Sequence, residues 1–322
     1  MSVTSTHNPV VLEPESQAVV EATAKPPFLY ELSPAEARAA LDELQAAPID
    51  KLPVNDRWIT VPADVGDVRV RIVRHQDAVG TLPVILYMHG GGWVLGNADT
   101  HDRLVRELAV GTGAAVVFVE YDRSPEVRYP VALEQGYATA QWIVREGAAN
   151  QLDPNRIAVA GDSVGGNMTA SLTLMAQERG DVRFVHQSMY YPVTDAAMDT
   201  GSYEQFAEGY FLTAKMMAWF WDAYEPDAER RKEPFASPLR ASEEQLAGLP
   251  PAFVMVGEAD VLRDEGEAYA ARLRAAGTAV TTVRYDGITH DFLVLNPLSD
   301  THATRAAVAQ ATAVLRNALN TA

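Results

Sequence analysis

The chain contains no cysteine, which excludes disulfides, thiolate metal ligands and a cysteine nucleophile together and leaves the redox compartment open. Basic residues are also scarce. Against 43 Asp and Glu there are 26 Lys and Arg, a formal net charge of -17, and a surface of that sign repels a phosphate backbone and an anionic bilayer alike. Nucleic acid is therefore not an expected partner, and neutral small molecules are favoured as substrates. No apolar run approaches the length that spans a membrane, so stable insertion is not expected. From Met1 to Val20 there is no basic region followed by an apolar core, and Glu13, Pro14 and Glu15 stand where one would be; a cytoplasmic protein is the expectation. No ligand cluster with metal spacing is found, so neither metal nor cofactor is expected. What remains is globular, since 48% hydrophobic and 21% charged residues argue against disorder and fibrous architecture.

Along the chain, Met1 to about Pro27 reads as a loose arm, except where Val10, Val11 and Leu12 or Phe28 to Leu32 find a surface. Ser33-Pro34 with Glu36 resembles a helix start, and Ala35 to Ala46 continues it. Trp58 to Val61 and Val68 to Val73 read as two strands of a meander. Pro83 to Met88, Ala114 to Val119, Ile157 to Ala160 and Ala252 to Val256 are continuous apolar runs, as expected of parallel strands buried on both faces. Between them Thr100 to Gly111, Val131 to Glu146 and Met168 to Gln177 supply helical crossovers. The pattern predicts an α/β fold, a mostly parallel doubly wound sheet with helices on both faces. One region breaks the alternation. Between Pro192 and Pro251 an aromatic and Met-rich helical insertion, running from Phe206 to Tyr224, is a candidate lid.

The run Ile157 to Asn167 joins a buried strand to a Gly-x-Ser-x-Gly turn, Gly161-Asp162-Ser163-Val164-Gly165, that opens a helix. A sharp strand-to-helix turn crowds neighbouring backbones, so the positions two before and two after the serine must lack side chains. Ser163 is thereby thrust out at the carboxyl edge of the sheet, where a helix amino terminus favours developing negative charge. A second run, His89-Gly90-Gly91-Gly92-Trp93, follows the strand ending at Met88. Acyl transfer needs backbone N–H groups aimed at the oxygen of a tetrahedral intermediate, and Gly91, Gly92 and Val164 are the candidate donors. A phosphate cradle is the other reading of such a loop, but no Gly-Lys-Ser or Gly-Lys-Thr ending is present. His89 is expected to shape the loop.

A serine hydroxyl needs a base. Of the seven histidines, His7 lies in the arm, His75 follows a surface-type strand, His101 sits in a polar helix start and His302 lies on the C-terminal helix. His186 opens the strand Gln187 to Tyr191 before any acid could follow. His290, on a loop just past the β-like Val280 to Tyr285, remains. The acid should lie between serine and histidine in the chain. Asp260 follows a buried strand and fits this order. Asp264 is expected instead to cap the helix beginning at Glu265, with Asp195 and Glu258 satisfied locally. Trp93, Phe211, Met216, Trp219 and Phe220 are candidate pocket residues for an apolar acyl or alcohol group. A stripe of this kind reads equally as core packing.

Together these runs resemble the hormone-sensitive-lipase-like esterases, the bacterial family IV lipolytic enzymes of the α/β-hydrolase fold, over roughly Trp58 to the C-terminus. The resemblance implies oxyanion donors at Gly91 and Gly92 from an HGGG loop, the nucleophile Ser163 from a GDSxGG elbow, the acid Asp260 from DxLxDE and the base His290 from HxF. It further implies hydrolysis of short-chain esters without a metal. On this basis the chain divides into an N-terminal arm and cap helix (residues 1–55), a catalytic core (56–194 and 234–322) and a cap insertion (195–233). Two departures stand out. Val164 occupies a position often held by alanine, and the stretch often written YRLAPE reads Tyr121-Asp122-Arg123-Ser124-Pro125-Glu126, its arginine displaced by one position. Two other functions are weighed. One is a non-catalytic ligand receptor on the same fold, against which retention of Ser163, Asp260 and His290 argues; the other is the same machinery acting on amides, lactones or carbamates. Natural substrate and oligomeric state, a homodimer included, are left open.

Overall fold

Successive residues of a strand point to opposite faces, so a strand covered on both sides must be apolar throughout. Leu82–Met88 shows this: Val84, Leu86 and Met88 enter one hydrophobic cluster, and Ile85 and Tyr87 enter another on the opposite face. The computed structural model describes residues 10–321. His7 and the first nine residues of the stretch assessed as a leader lie outside them. In chain order the elements are α1 (Pro14–Thr23), α2 (Pro34–Leu44), β1 (Val54–Val61), β2 (Val68–His75), β3 (Leu82–Met88), α3 (Asp102–Thr112), β4 (Ala115–Glu120), α4 (Val131–Glu146) and β5 (Leu152–Asp162). There follow α5 (Val164–Arg179), β6 (His186–Tyr190), α6 (Gly201–Gln205), α7 (Ala214–Tyr224), α8 (Glu243–Leu246), β7 (Ala252–Ala259), α9 (Arg263–Ala275), β8 (Val280–Thr289) and α10 (His302–Leu319).

The strands form one eight-stranded sheet in the order β1-β2-β4-β3-β5-β6-β7-β8. The pairs β1–β2 and β2–β4 are antiparallel and the others parallel. Helices α3 and α10 pack on one face through Leu104, Leu108, Ala307 and Ala311. On the other face lie α4 and α5, through Leu133, Tyr137, Met168 and Leu172, and α9, through Tyr269 and Leu273. The doubly wound sheet expected from the apolar runs is therefore present. Strand β3 lies between β4 and β5, with Met88 paired to Gly161. The chain leaves β3 toward one side of the sheet and later continues from β5 toward the other. Such a switch point opens a crevice at the carboxyl ends of the strands, and it puts the loop after Met88 beside the turn after Asp162.

The arm is the main correction. Expected to be loose, it contains α1, and Glu13 and Ser16 at the start of that helix are fastened to the far end of the chain. Glu13 N–H donates to Gly287 O at 2.7 Å, and its carboxylate accepts from His302 and Ala303 N–H at 2.8 and 2.9 Å, occupying the open end of α10. Ser16 hydrogen-bonds Thr289 through its hydroxyl at 3.2 Å, and Val19 and Val20 are buried. Local polarity hid this because the partners lie more than 270 residues away.

Candidate active site

The turn at Ser163 is built by exclusion. A Cβ on Gly161 would fall 2.4 Å from the carbonyl oxygens of Met88 and Gly165, and one on Gly165 would fall 2.0 Å from that of Met88. No side chain fits there. Ser163 itself has φ 55 and ψ -119, a strained conformation for a residue with a Cβ. Backbone bonds hold it: Ser163 N–H donates to Tyr190 O at 2.8 Å, and its carbonyl accepts from Asn167 and Val193. Helix α5 starts at the next residue, Val164, so its first N–H groups open onto the serine.

From the neighbouring strand, Gly91 (φ 101) and Gly92 (φ 63) turn the chain sharply. Gly91 takes part through its carbonyl, which accepts from Val94 and Leu95 N–H. Phe220 of α7 covers the loop so closely that a Cβ on Gly92 would lie 2.1 Å from its ring. His89 stacks on Tyr121 with ring centroids 4.1 Å apart. Burial drives its pKa down to about 3, so it is neutral, and Nδ1–H donates to Gly90 O at 2.8 Å. The departure at Tyr121 to Glu126 acts on the same loop. Tyr121 OH donates to His89 O, Arg123 to Gly96 O and Ser124 N–H to Trp93 O. Its displaced arginine still reaches the loop's backbone.

His290, one residue past β8, lies with Nε2 2.9 Å from Ser163 Oγ and Nδ1 2.7 Å from Asp260 Oδ2. Asp260, one residue past β7, receives Leu262 N–H on its other oxygen at 2.9 Å. The three side chains thus form one hydrogen-bonded chain, and all three residues are at least 95% buried. Burial alone would depress the imidazolium, but the carboxylates of Asp260 and Asp291 outweigh it and bring His290 up to about 9. The expectation that Asp264 caps α9 is not met. Asp264 lies in the helix's first turn, behind the N-cap Leu262, and its carboxylate turns outward to Ser202 N–H at 2.7 Å and to Arg263 at 2.8 Å. Asp195 and Glu258 are occupied locally, by Arg240 and by Gly287 N–H.

Two groups escaped the sequence reading. His101, set aside there as part of a polar helix start, is buried with Nε2 3.3 Å from Asp162 Oδ2, while Tyr87 OH donates to Asp162 Oδ1 at 2.7 Å. Burial opposes both charges, yet the mutual attraction wins: His101 is raised and Asp162 lowered from their ordinary values. This ion pair lies under the elbow, with Asp162 packed where a Cβ on Gly90 would have to go. Asp291, next to His290, is the other; burial lifts it to about 6. Asp162 adjoins the serine in sequence, a signal that could have marked it, whereas nothing local marks His101.

Of the candidate pocket residues, Phe211 and Met216 line a cavity of about 710 Å³ between α2, the end of α1 and the segment before α7, together with Phe28, Leu32 and Leu41. Trp93, Trp219 and Phe220 are not in its wall. Trp93 is fully buried and stacked on Tyr224 with centroids 3.9 Å apart. Phe220 covers the glycine loop, and Trp219 packs beside it at 5.2 Å. Neither Ser163 nor His290 lines the cavity. Among the described residues no group of acidic or histidine side chains is arranged to hold a metal, and no helix is long and apolar enough to cross a membrane.

A strained serine at a strand-to-helix turn, a histidine and an acid from later strand ends, and a glycine loop from the adjacent strand define a serine hydrolase site on an α/β sheet. Comparison places the chain more narrowly. Residues 85–294 match the model of an alpha/beta hydrolase fold family. The chain is 48% identical to a thermostable esterase from Pseudomonas putida ECU1011, whose crystal structure superposes with a TM-score of 0.94 over 98% of this chain and 99% of that one. Carboxylesterase NlhH of Mycobacterium tuberculosis is 35% identical over 80% of this chain and 81% of its own length. A putative alpha/beta hydrolase of Acanthamoeba polyphaga mimivirus is 39% identical over 88% and 80%. The protein belongs to the α/β-hydrolase family, in its hormone-sensitive-lipase-like branch.

Proposed function

We propose that the protein is a serine carboxylesterase that hydrolyses short- to medium-chain esters through a covalent acyl-enzyme. The observation that carries this reading is the continuous hydrogen-bonded chain Ser163–His290–Asp260 at the carboxyl edge of the sheet. Esterase and carboxylesterase relatives support it. As Ser163 Oγ bonds to the ester carbonyl carbon, its proton passes to His290 Nε2. Asp260 keeps the other proton on Nδ1 and stabilises the imidazolium. The N–H groups of Gly91, Gly92 and Val164 receive the negative oxygen of the tetrahedral intermediate, which backbone dipoles held in place stabilise without reorganising. Collapse breaks the ester C–O bond, and His290 returns its proton to the departing alcohol. Water, deprotonated by the same imidazole, then attacks the acyl-enzyme, releasing the acid and restoring Ser163.

The arm and cap helix (residues 1–55, chiefly Phe28 to Pro48) and the insertion at residues 195–233 serve in this reading as a cap that selects substrate size. What supports it is that both segments lie outside the triad and together wall the cavity to which Phe211 and Met216 contribute, a cavity that neither Ser163 nor His290 lines. The assignment is tested by turnover of a p-nitrophenyl ester series beside matched amides, with fluorophosphonate labelling of Ser163. Wild-type rates in Ser163→Ala, or turnover of amides alone, would overturn it.

A further inference from the structure

The reaction as written leaves Asp291 without a task, although the structure builds it a place. Its backbone has φ 60, a conformation that Asp and Asn adopt more readily than other side-chain-bearing residues. Its carbonyl accepts from both Val294 and Leu295 N–H at 2.9 Å, so the turn that imposes this conformation is well fastened. Its carboxylate oxygen Oδ1 is buried without a hydrogen-bond partner and lies 3.4 Å from His290 Nε2. That is the nitrogen facing Ser163 Oγ.

Carboxylates therefore flank both ring nitrogens of His290, Asp260 at Nδ1 and Asp291 at Nε2. We propose that Asp291 is a positioning residue for the reaction, a second carboxylate that stabilises the His290 imidazolium through space from the Nε2 side. The proposal rests on the ester-hydrolase reading. At 3.4 Å the contact is longer than a good N–H···O bond, so the charge strengthens the base without capturing the proton that the leaving alcohol must receive. Other groups share this interior: His101 and Asp162 from below, Asp260 from β7, and the Tyr191 ring packed edge-on to the imidazole at 4.8 Å. Arg103 of α3 spends its guanidinium on the carbonyls of Leu293 and Val294 and on Glu107, so it does not pair with Asp291, whose one ion-pair contact among the described residues is with His290. The elevated pKa of His290 agrees with this placement.

The test compares Asp291→Asn and Asp291→Gly, both compatible with a positive φ, against the wild type. The rate of fluorophosphonate labelling of Ser163 and the kcat/KM for an acetate ester are each followed against pH. Both variants should move the acid-side midpoint down by about 1 unit or more, the usual effect of losing a charge at this distance. Limiting kcat should fall roughly several-fold as the base weakens, with KM little changed. Midpoints unmoved in both folded variants would overturn the proposal and leave Asp291 as a turn residue. Because labelling needs no ester, a wild type that is labelled but turns over no ester refutes the esterase assignment, while the labelling midpoints still decide the role of Asp291.

Discussion

Replacing Asp260 by Asn removes one charge and exchanges one oxygen for an NH2 group, and the surroundings determine which way the new amide faces. Leu262 N–H donates to Asp260 Oδ1 at 2.9 Å. If the amide oxygen keeps that bond, its NH2 meets His290 Nδ1 and forces that nitrogen to accept. The remaining proton then sits on Nε2, which can no longer take the proton of Ser163. A tautomer reversed in this way costs about 10⁴ in turnover in serine proteases, roughly 5.5 kcal/mol at 1.36 kcal/mol per tenfold. The opposite orientation keeps Nδ1–H paired but sets the NH2 against Leu262 N–H, and leaving that buried donor unsatisfied costs about 1–3 kcal/mol. The variant can escape only partly, so kcat should drop between roughly 10² and 10⁴-fold, with KM within about threefold of the wild type. Steady-state kinetics on p-nitrophenyl acetate with a thermal melt checks this. Asp264→Asn, which weakens only the contacts to Ser202 and Arg263, should lower the melting temperature and leave kcat nearly intact. A loss below tenfold in folded Asp260→Asn, or a larger loss in Asp264→Asn, would refute the reasoning.

Gly165→Ala should fail to accumulate as folded protein, because its Cβ would lie 2.0 Å from a backbone oxygen that has no room to retreat; soluble yield reads this out. Phe211→Ala and Met216→Ala should shift relative kcat/KM among acyl lengths by roughly tenfold to a couple of hundredfold, while the acetate rate falls less; a uniform loss on every ester would mean that the side chains are core. The His101–Asp162 pair gives stability a pH window. The lowered carboxylate contributes above its ordinary 3.8 and loses that contribution as pH falls through its folded pKa, while the raised imidazole contributes fully below 6.5 and loses its share as pH climbs through its own folded pKa. Melting temperatures of His101→Gln should therefore decline less than those of the wild type on the alkaline side. Glu13→Ala should cost about 1 kcal/mol through the open end of α10, measured by denaturant unfolding.

Strand and helix periodicity exposed the layers because the inner strands β3, β4, β6 and β7, with the second half of β5, are covered on both faces, and a continuous apolar run states that directly. The elbow was legible for a similar reason: Gly161 and Gly165 are demanded by contact with each other and with Met88 and His89 at the end of one neighbouring strand. His290 and Asp260 followed from chain order and strand-end placement. What could not be read were groups whose partners are distant in sequence. His101 looked like a polar helix start because Asp162, whose carboxylate accepts its hydrogen bond, lies 61 residues on. Asp264 looked like a cap because local spacing says so, yet its carboxylate is shared by Arg263 and by Ser202 N–H, the latter 62 residues away. The insertion's aromatic stripe divided between two uses, Phe211 and Met216 facing the cavity and Phe220 closing over Gly92, a distinction that helical spacing alone does not contain.

The fastening of Glu13 and Ser16 changes how this chain can be rearranged. These contacts join the segment that leads into α1 and α2, two helices that help to wall the cavity, to Gly287, Thr289 and the start of α10, the stretch that also carries His290. On the proposed function, substrate selection and base placement are therefore inherited together. An arm transplanted from a relative brings its own reach and charge to a seam cut for Glu13, and a chimera that exchanges the arm without residues 287–303 should loosen the segment carrying His290 along with the arm. The unit that can be recombined is the arm with its far-end anchor, two stretches that a linear cut would always separate.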